Sequence, residues 1–119
     1  MCRILQMRHP ESNGEEGGYG IGFHVRKDVT HSAFVAEQTI EFLRQHRAGP
    51  FLCISGFYPP HSPCLAPQEF MDLYDPDALS VPEYPPEIEE RRKGTTFSDG
   101  ELRRAKRAYY AMVSEVDDQ

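Results

Sequence analysis

EQTIEFLRQHRAGPFLCISGF, residues 37–57, joins a helical pattern to an apolar run of strand length. Its first half continues a helical pattern that begins earlier: Val35, Ala36, Thr39, Ile40, Phe42 and Leu43 recur at the spacing that puts them on one helix face. Thr30 or Ser32 can cap the free N–H groups of the first turn. Arg44, His46 and Arg47 place positive charge in the last turn, where the helix dipole favours it. Gly49-Pro50 stops the helix, so the expected span is about 30–47. The second half, Phe51 to Phe57, is a short, continuously apolar run with turn signals at both ends. Such a run predicts a strand over 51–57 covered on both faces, as in a parallel sheet between helices. Helix followed by buried strand reads as α/β.

Residues 1–29 hold no sustained period and form an expected irregular N-terminal segment, with residues 30–119 as the structured part. Ser12 to Gly20 is a glycine-rich polar loop. Gly18, Gly20 and Gly22 do not make a dinucleotide fingerprint, because no apolar strand precedes them. After the expected strand comes Tyr58-Pro59-Pro60-His61-Ser62-Pro63, a loop stiffened by three prolines. Pro67 can open a short helix through Tyr74. From Asp75 to Arg92 the chain is acidic and proline-rich, and regular structure is not expected there. Ser98-Asp99-Gly100-Glu101 has the form of a capping box and opens a helix over about 99–117. Its expected apolar stripe is Leu102, Ala105, Tyr109, Met112, Val113 and Val116. No stop signal follows Val116, only Asp117-Asp118-Gln119, so this helix is expected to be cut short.

Composition narrows the function classes. The chain has 119 residues, 39% of them hydrophobic, with ten prolines and nine glycines. That is a lean allowance for a self-sufficient core, and exposed apolar surface is expected. A net charge of −6 argues against a general binder of nucleic acid or anionic membrane. No apolar run approaches the roughly 20 residues of a membrane span. The charged N-terminus does not resemble a signal peptide. Cys2, Cys53 and Cys64 are odd in number and lack CxxC spacing, which predicts neither a disulfide framework nor a zinc knuckle.

Among side chains that carry chemistry, His61 stands out. It follows the expected strand's carboxyl end, where open α/β sheets bind ligands. A donor imidazole there can bind an anion or protonate a leaving oxygen; the alternative is a surface loop histidine. His9, His24, His31 and His46 fall in loops or near helix ends. Ser55 and Ser62 lack a GxSxG elbow, and Asp117-Asp118 reads as a solvated pair. No set of His, Asp or Glu has metal-ligand spacing. The basic residues Arg91, Arg92, Lys93, Arg103, Arg104, Lys106 and Arg107 could attract phosphate or sulfate, or form a solvated helix face paired with neighbouring acids.

Taken in order, EQTIEFLRQHRAGPF, FLCISGFYPPHSP, LAPQEFMDLYDPDALSVP and RAYYAMVSEVDDQ resemble the middle of a type I sulfatase, from about Asp28 onward. The resemblance implies a partial alkaline-phosphatase-like sulfatase fold, a helix–strand–loop–helix segment of a larger sandwich. It also implies a sulfuric ester hydrolase that cleaves sulfate esters. One functional residue carries over: His61 matches the family's sulfate-contacting histidine. The family's cofactors, calcium or magnesium and a formylglycine nucleophile, lie in motifs not visible in this sequence. Cys64 is followed by Leu65-Ala66-Pro67 rather than x-Pro-Ser-Arg. The expectation is therefore a segment inactive by itself and binding no metal of its own. Its expected partners are a sulfate-ester substrate in a parent enzyme and the remainder of the sulfatase domain. Two alternatives stand beside it: a non-catalytic interaction or anion-binding module built on the same scaffold, and a segment of a related phosphodiesterase or phosphatase.

Overall fold

The computed structural model describes residues 21–23, 25–93, 95 and 98–119. Its elements are β1 (Ile21–Phe23), a 3₁₀ turn (Lys27–Val29), α1 (His31–His46), β2 (Leu65–Pro67) and α2 (Gln68–Met71). A second 3₁₀ turn (Pro76–Ala78), α3 (Pro86–Arg92) and α4 (Asp99–Asp117) complete them. Helix and a little strand are thus mixed. β1 and β2 run parallel, with Ile21 opposite Leu65 and Phe23 opposite Pro67. Both β1 and the first 3₁₀ turn lie inside the stretch read as irregular.

α1 forms where its periodicity places it, and Thr30 rather than Ser32 is its cap: the Thr30 Oγ1 accepts from the Ala33 amide at 3.2 Å. At the start of α4 the Ser98 Oγ accepts from the Glu101 amide at 3.3 Å, while the Glu101 carboxylate turns to Arg104. The buried stripe of α4 differs from the expected one. Ala108, Ala111, Met112 and Glu115 are buried, whereas Tyr109 and Val113 are exposed. Two alanines let β2 and α2 approach the helix closely, so small side chains, not the largest apolar ones, mark the packed face. Ala66, Phe70 and Met71 complete this core, with Cys64 and Tyr74 against its edge.

The expected buried strand over 51–57 is not present. Residues 51–58 form neither helix nor strand, and no backbone hydrogen bond joins residues 51–57 to another segment among the described residues. Leu52 is 82% and Ile54 85% exposed. A strand is a relation between neighbouring chains, and an apolar pattern supplies the readiness to pair without supplying the neighbour. Alternation is nevertheless visible. Phe51 meets Phe42 of α1 edge to face, with ring centroids 5.8 Å apart, and Ser55 shares a 2.6 Å hydrogen bond with Thr39. One face of the segment therefore leans on α1, and the face bearing Leu52 and Ile54 is open.

A second correction concerns residues 75–92. Regular structure does form there, because Pro76 and Pro86 sit in the first turns of their helices, where a missing N–H costs nothing. This linker is then docked by the basic face of α4. Arg103 Nε donates to the Leu79 carbonyl at 3.1 Å and Lys106 Nζ to the Ser80 carbonyl at 3.0 Å, while Arg107 Nε donates to the Met71 carbonyl at the end of α2 at 2.8 Å. Arg92 bridges Glu89 and Asp99. Much of the basic cluster is thus committed to chain carbonyls and neighbouring acids. No described helix is long and apolar enough to cross a membrane.

Candidate functional site

The loop between residues 51–57 and β2 is organised around one carbonyl. The His61 amide donates to the Tyr58 carbonyl at 3.1 Å, closing a turn over Pro59 and Pro60. The Tyr58 hydroxyl then donates to the Ser62 carbonyl at 2.8 Å, and His61 Nδ1 lies 2.6 Å from the same oxygen. A carbonyl oxygen only accepts, so Nδ1 carries the proton in this arrangement. Nε2 has no hydrogen-bond partner among the described residues, and the residue is exposed. It accepts a hydrogen bond when the imidazole is neutral and donates one when the ring is cationic. The Tyr58 ring backs the imidazole, with centroids 5.0 Å apart.

Beneath the loop is a cavity of about 170 Å³. Tyr58, Pro59, His61 and Pro63 form its loop side, and Leu65, Pro67 and Met112 its apolar walls. Its polar end is Thr30, Ser32 and Glu115. Glu115 is only 3% exposed. Its carboxylate accepts from the Thr30 hydroxyl at 2.6 Å and from the Ser32 hydroxyl at 2.9 Å. A buried carboxylate is tolerated when hydrogen bonds of this kind replace its water. The three side chains clamp the N-terminus of α1 to α4 directly under the loop. His31, the first residue of α1, also reaches the cavity, and its ring lies 6.4 Å from that of Tyr58 in an edge-to-face arrangement.

Placement of the expected site residues is mixed. His61 does lie on a stiff loop at a cavity, but not at the carboxyl end of a paired strand, since 51–57 pairs with nothing among the described residues. It sits before β2 instead. His31 joins it; His46 does not, its ring stacking on Phe42 at the far end of α1. His9 and His24 fall outside the described residues, as does Cys2. Asp118 is ion-paired with Lys27 at 2.7 Å rather than merely solvated. The Asp118 carboxylate, by hydrogen bonding, raises the Lys27 ammonium above its usual range. Arg26, by the same means, holds the Asp28 carboxyl below its usual range. The role of Glu115 escaped the sequence reading; the available signal was a Ser and a Thr at an N-cap facing an acid on an otherwise small-residue stripe.

The described residues bring no three His, Cys, Asp or Glu side chains together. Cys64 precedes β2 with Leu65-Ala66-Pro67 after it. Among the described residues, this arrangement fits neither a calcium or magnesium site nor, at Cys64, a formylglycine precursor.

No family model matches the chain, and no solved structure does. It is similar to a protein of Trinickia caryophylli described as multifunctional alkaline phosphatase superfamily protein PehA. The two are 24% identical over 118 residues, which cover 79% of this chain and 23% of that protein. It is also similar to an arylsulfatase of Clostridium perfringens, 29% identical over 97 residues, covering 72% of this chain and 20% of that one. The chain thus spans about a fifth of the length of these curated relatives. The similarity runs to the alkaline phosphatase superfamily.

Proposed function

We propose that this chain is a segment of a sulfatase-like hydrolase and that His61 is its anion-contacting residue. The observation that carries the reading is the His61 loop, which holds Nδ1 against the Ser62 carbonyl, leaves Nε2 without a partner among the described residues and sets the ring at a cavity. Similarity to an arylsulfatase and to an alkaline phosphatase superfamily protein supports it. In the cationic ring, Nε2–H donates to an oxygen of a sulfate group and stabilises the charge that grows there as the ester bond breaks. The nucleophile and the calcium or magnesium of such an enzyme belong to the remainder of the sulfatase domain. That remainder is the segment's partner, and the whole makes an alkaline-phosphatase-like sandwich. Preorganised donors of this kind contribute on the order of 10²–10³ in rate. In a complete enzyme of this type His61→Ala lowers turnover by about that factor.

For the chain itself, the test is titration with inorganic sulfate and with phenyl sulfate, followed by NMR of the His61 ring. Saturable shifts, lost in His61→Ala, support the reading. No shift at concentrations that perturb other surface histidines equally little contradicts it. Inorganic phosphate as a competitor separates the related phosphodiesterase or phosphatase reading: a clear preference for phosphate favours that one. A non-catalytic anion-binding module is favoured if an enzyme assembled around this segment binds sulfate esters without cleaving them.

A further inference from the structure

His31 is a cavity residue to which the proposed function gives no task. It opens α1, and the side chains on either side of it are anchored. The Thr30 and Ser32 hydroxyls both donate to the Glu115 carboxylate, at 2.6 and 2.9 Å, and all three of these residues are buried. The backbone at residue 31 is thus fixed between two tethered neighbours, while His31 itself is exposed. Its ring lines the same cavity as His61. Tyr58 touches both imidazoles: its ring centroid lies 6.4 Å from that of His31 and 5.0 Å from that of His61.

The polar groups of the cavity are already spoken for, except on the two histidines. Among the described residues that line it there is no Lys or Arg, and the single acid is Glu115. Each oxygen of that carboxylate accepts a hydroxyl, so it is not turned toward either imidazole. His61 uses Nδ1 on the Ser62 carbonyl, and the His31 ring makes no hydrogen bond among the described residues. A neutral imidazole carries one N–H and a cationic one carries two, so His31 has a donor to offer in either state. In a chain of net charge −6, this cavity therefore presents two histidines and no carboxylate positioned to pair with them.

We propose that His31 is a second anion-contacting residue of the site assigned to His61, so that one tetrahedral oxyanion receives N–H donors from both rings. The inference rests on the reading of His61 given above and adds a second mount to it. His61 comes from the loop before β2 and His31 from the first turn of α1, and the bound anion joins the two.

The test is a titration of the 119-residue chain with inorganic sulfate, followed by NMR of the His31, His61 and His46 rings. The His31 and His61 signals should saturate at the same sulfate concentration. His46, stacked on Phe42 at the other end of α1, should not move with them. In His31→Ala the midpoint read at His61 should rise about fivefold, the scale of one partly exposed charge-assisted contact. A His61 response that saturates without one at His31, or a midpoint that His31→Ala leaves unaltered, would overturn this proposal and leave the His61 reading standing. A His31 response no different from that of His46 would overturn it too, as binding of an adventitious ion only. Silence at both His31 and His61 would overturn the two readings together. The wild-type shifts decide these outcomes even if His31→Ala does not fold.

Discussion

Residues 64–74 with 99–117 and residues 34–57 are similarly apolar on paper, yet one set is packed and the other is not. In the first, Ala66, Phe70, Met71, Ala108, Ala111 and Met112 close into a core, and Tyr74 shares a 2.6 Å hydrogen bond with Ser114. In the second, Phe34, Ile40, Leu43, Leu52 and Ile54 remain exposed, and only Ala33, with Ser32 beside it, is buried on α1. Local pattern sets the conformation each segment is ready to adopt, while burial depends on what stands opposite. The functional loop lies on the boundary between the two regions. Its prolines and its shared Ser62 carbonyl are local, but the Thr30–Ser32–Glu115 clamp beneath it belongs to the packed region.

The largest test of this contrast is truncation on each side. Met112→Ala removes a side chain that is 1% exposed and should cost about 2–5 kcal/mol. Ile54→Ala should stay within about 0.5 kcal/mol in dilute solution, because its side chain is already in water. Thermal or denaturant unfolding measures both. Equal losses would erase the distinction.

Next in size is the clamp. In Glu115→Ala the Thr30 hydroxyl can fall back on the Lys27 carbonyl, 3.1 Å away, whereas the buried Ser32 hydroxyl has no such alternative. The expected loss is about 1–3 kcal/mol, with a Tyr58 and His61 chemical-shift change that Ile54→Ala does not produce. Ser98→Ala, at an exposed N-cap, should cost about 1 kcal/mol and leave the His61 loop unmoved.

How much of this was legible in the sequence follows the same boundary. The spans of α1 and α4 and the cap at Ser98 were readable because periodicity and capping are local. The stiffness of the His61 loop was readable from its prolines. The three-residue strands were not, since Ile21-Gly22-Phe23 and Leu65-Ala66-Pro67 carry too short a pattern and are defined only by each other. Glu115 was hidden because an acid on a helix is ordinarily solvated, and its burial depends on two hydroxyls more than 80 residues away. The 51–57 segment was misjudged for the opposite reason: its pattern is clear, but the pairing is not local.

The smallest expected effect is electrostatic. Lys27 is raised by its hydrogen bond to Asp118, so the stabilisation it contributes is present below the ordinary lysine value of 10.5 and lost as pH rises through the higher folded value. Asp118→Asn should remove that alkaline-end loss and change little at neutral pH, because both groups are substantially exposed. Asp28 runs the other way. Its lowered value makes its contribution present above 3.8 and lost as pH falls through the folded value. Thermal midpoints across the two pH ranges check both signs.

That packing contacts, rather than apolar pattern, decide which region is ordered is tested most directly by amide hydrogen exchange on the dilute, reduced chain. Ala108 to Met112 should be among the slowest amides, while Leu52 to Ile54 exchange at nearly the rate of an unstructured peptide. Protection at Leu52 to Ile54 matching that of the α4 core, in a sample shown to be monomeric, would contradict the account.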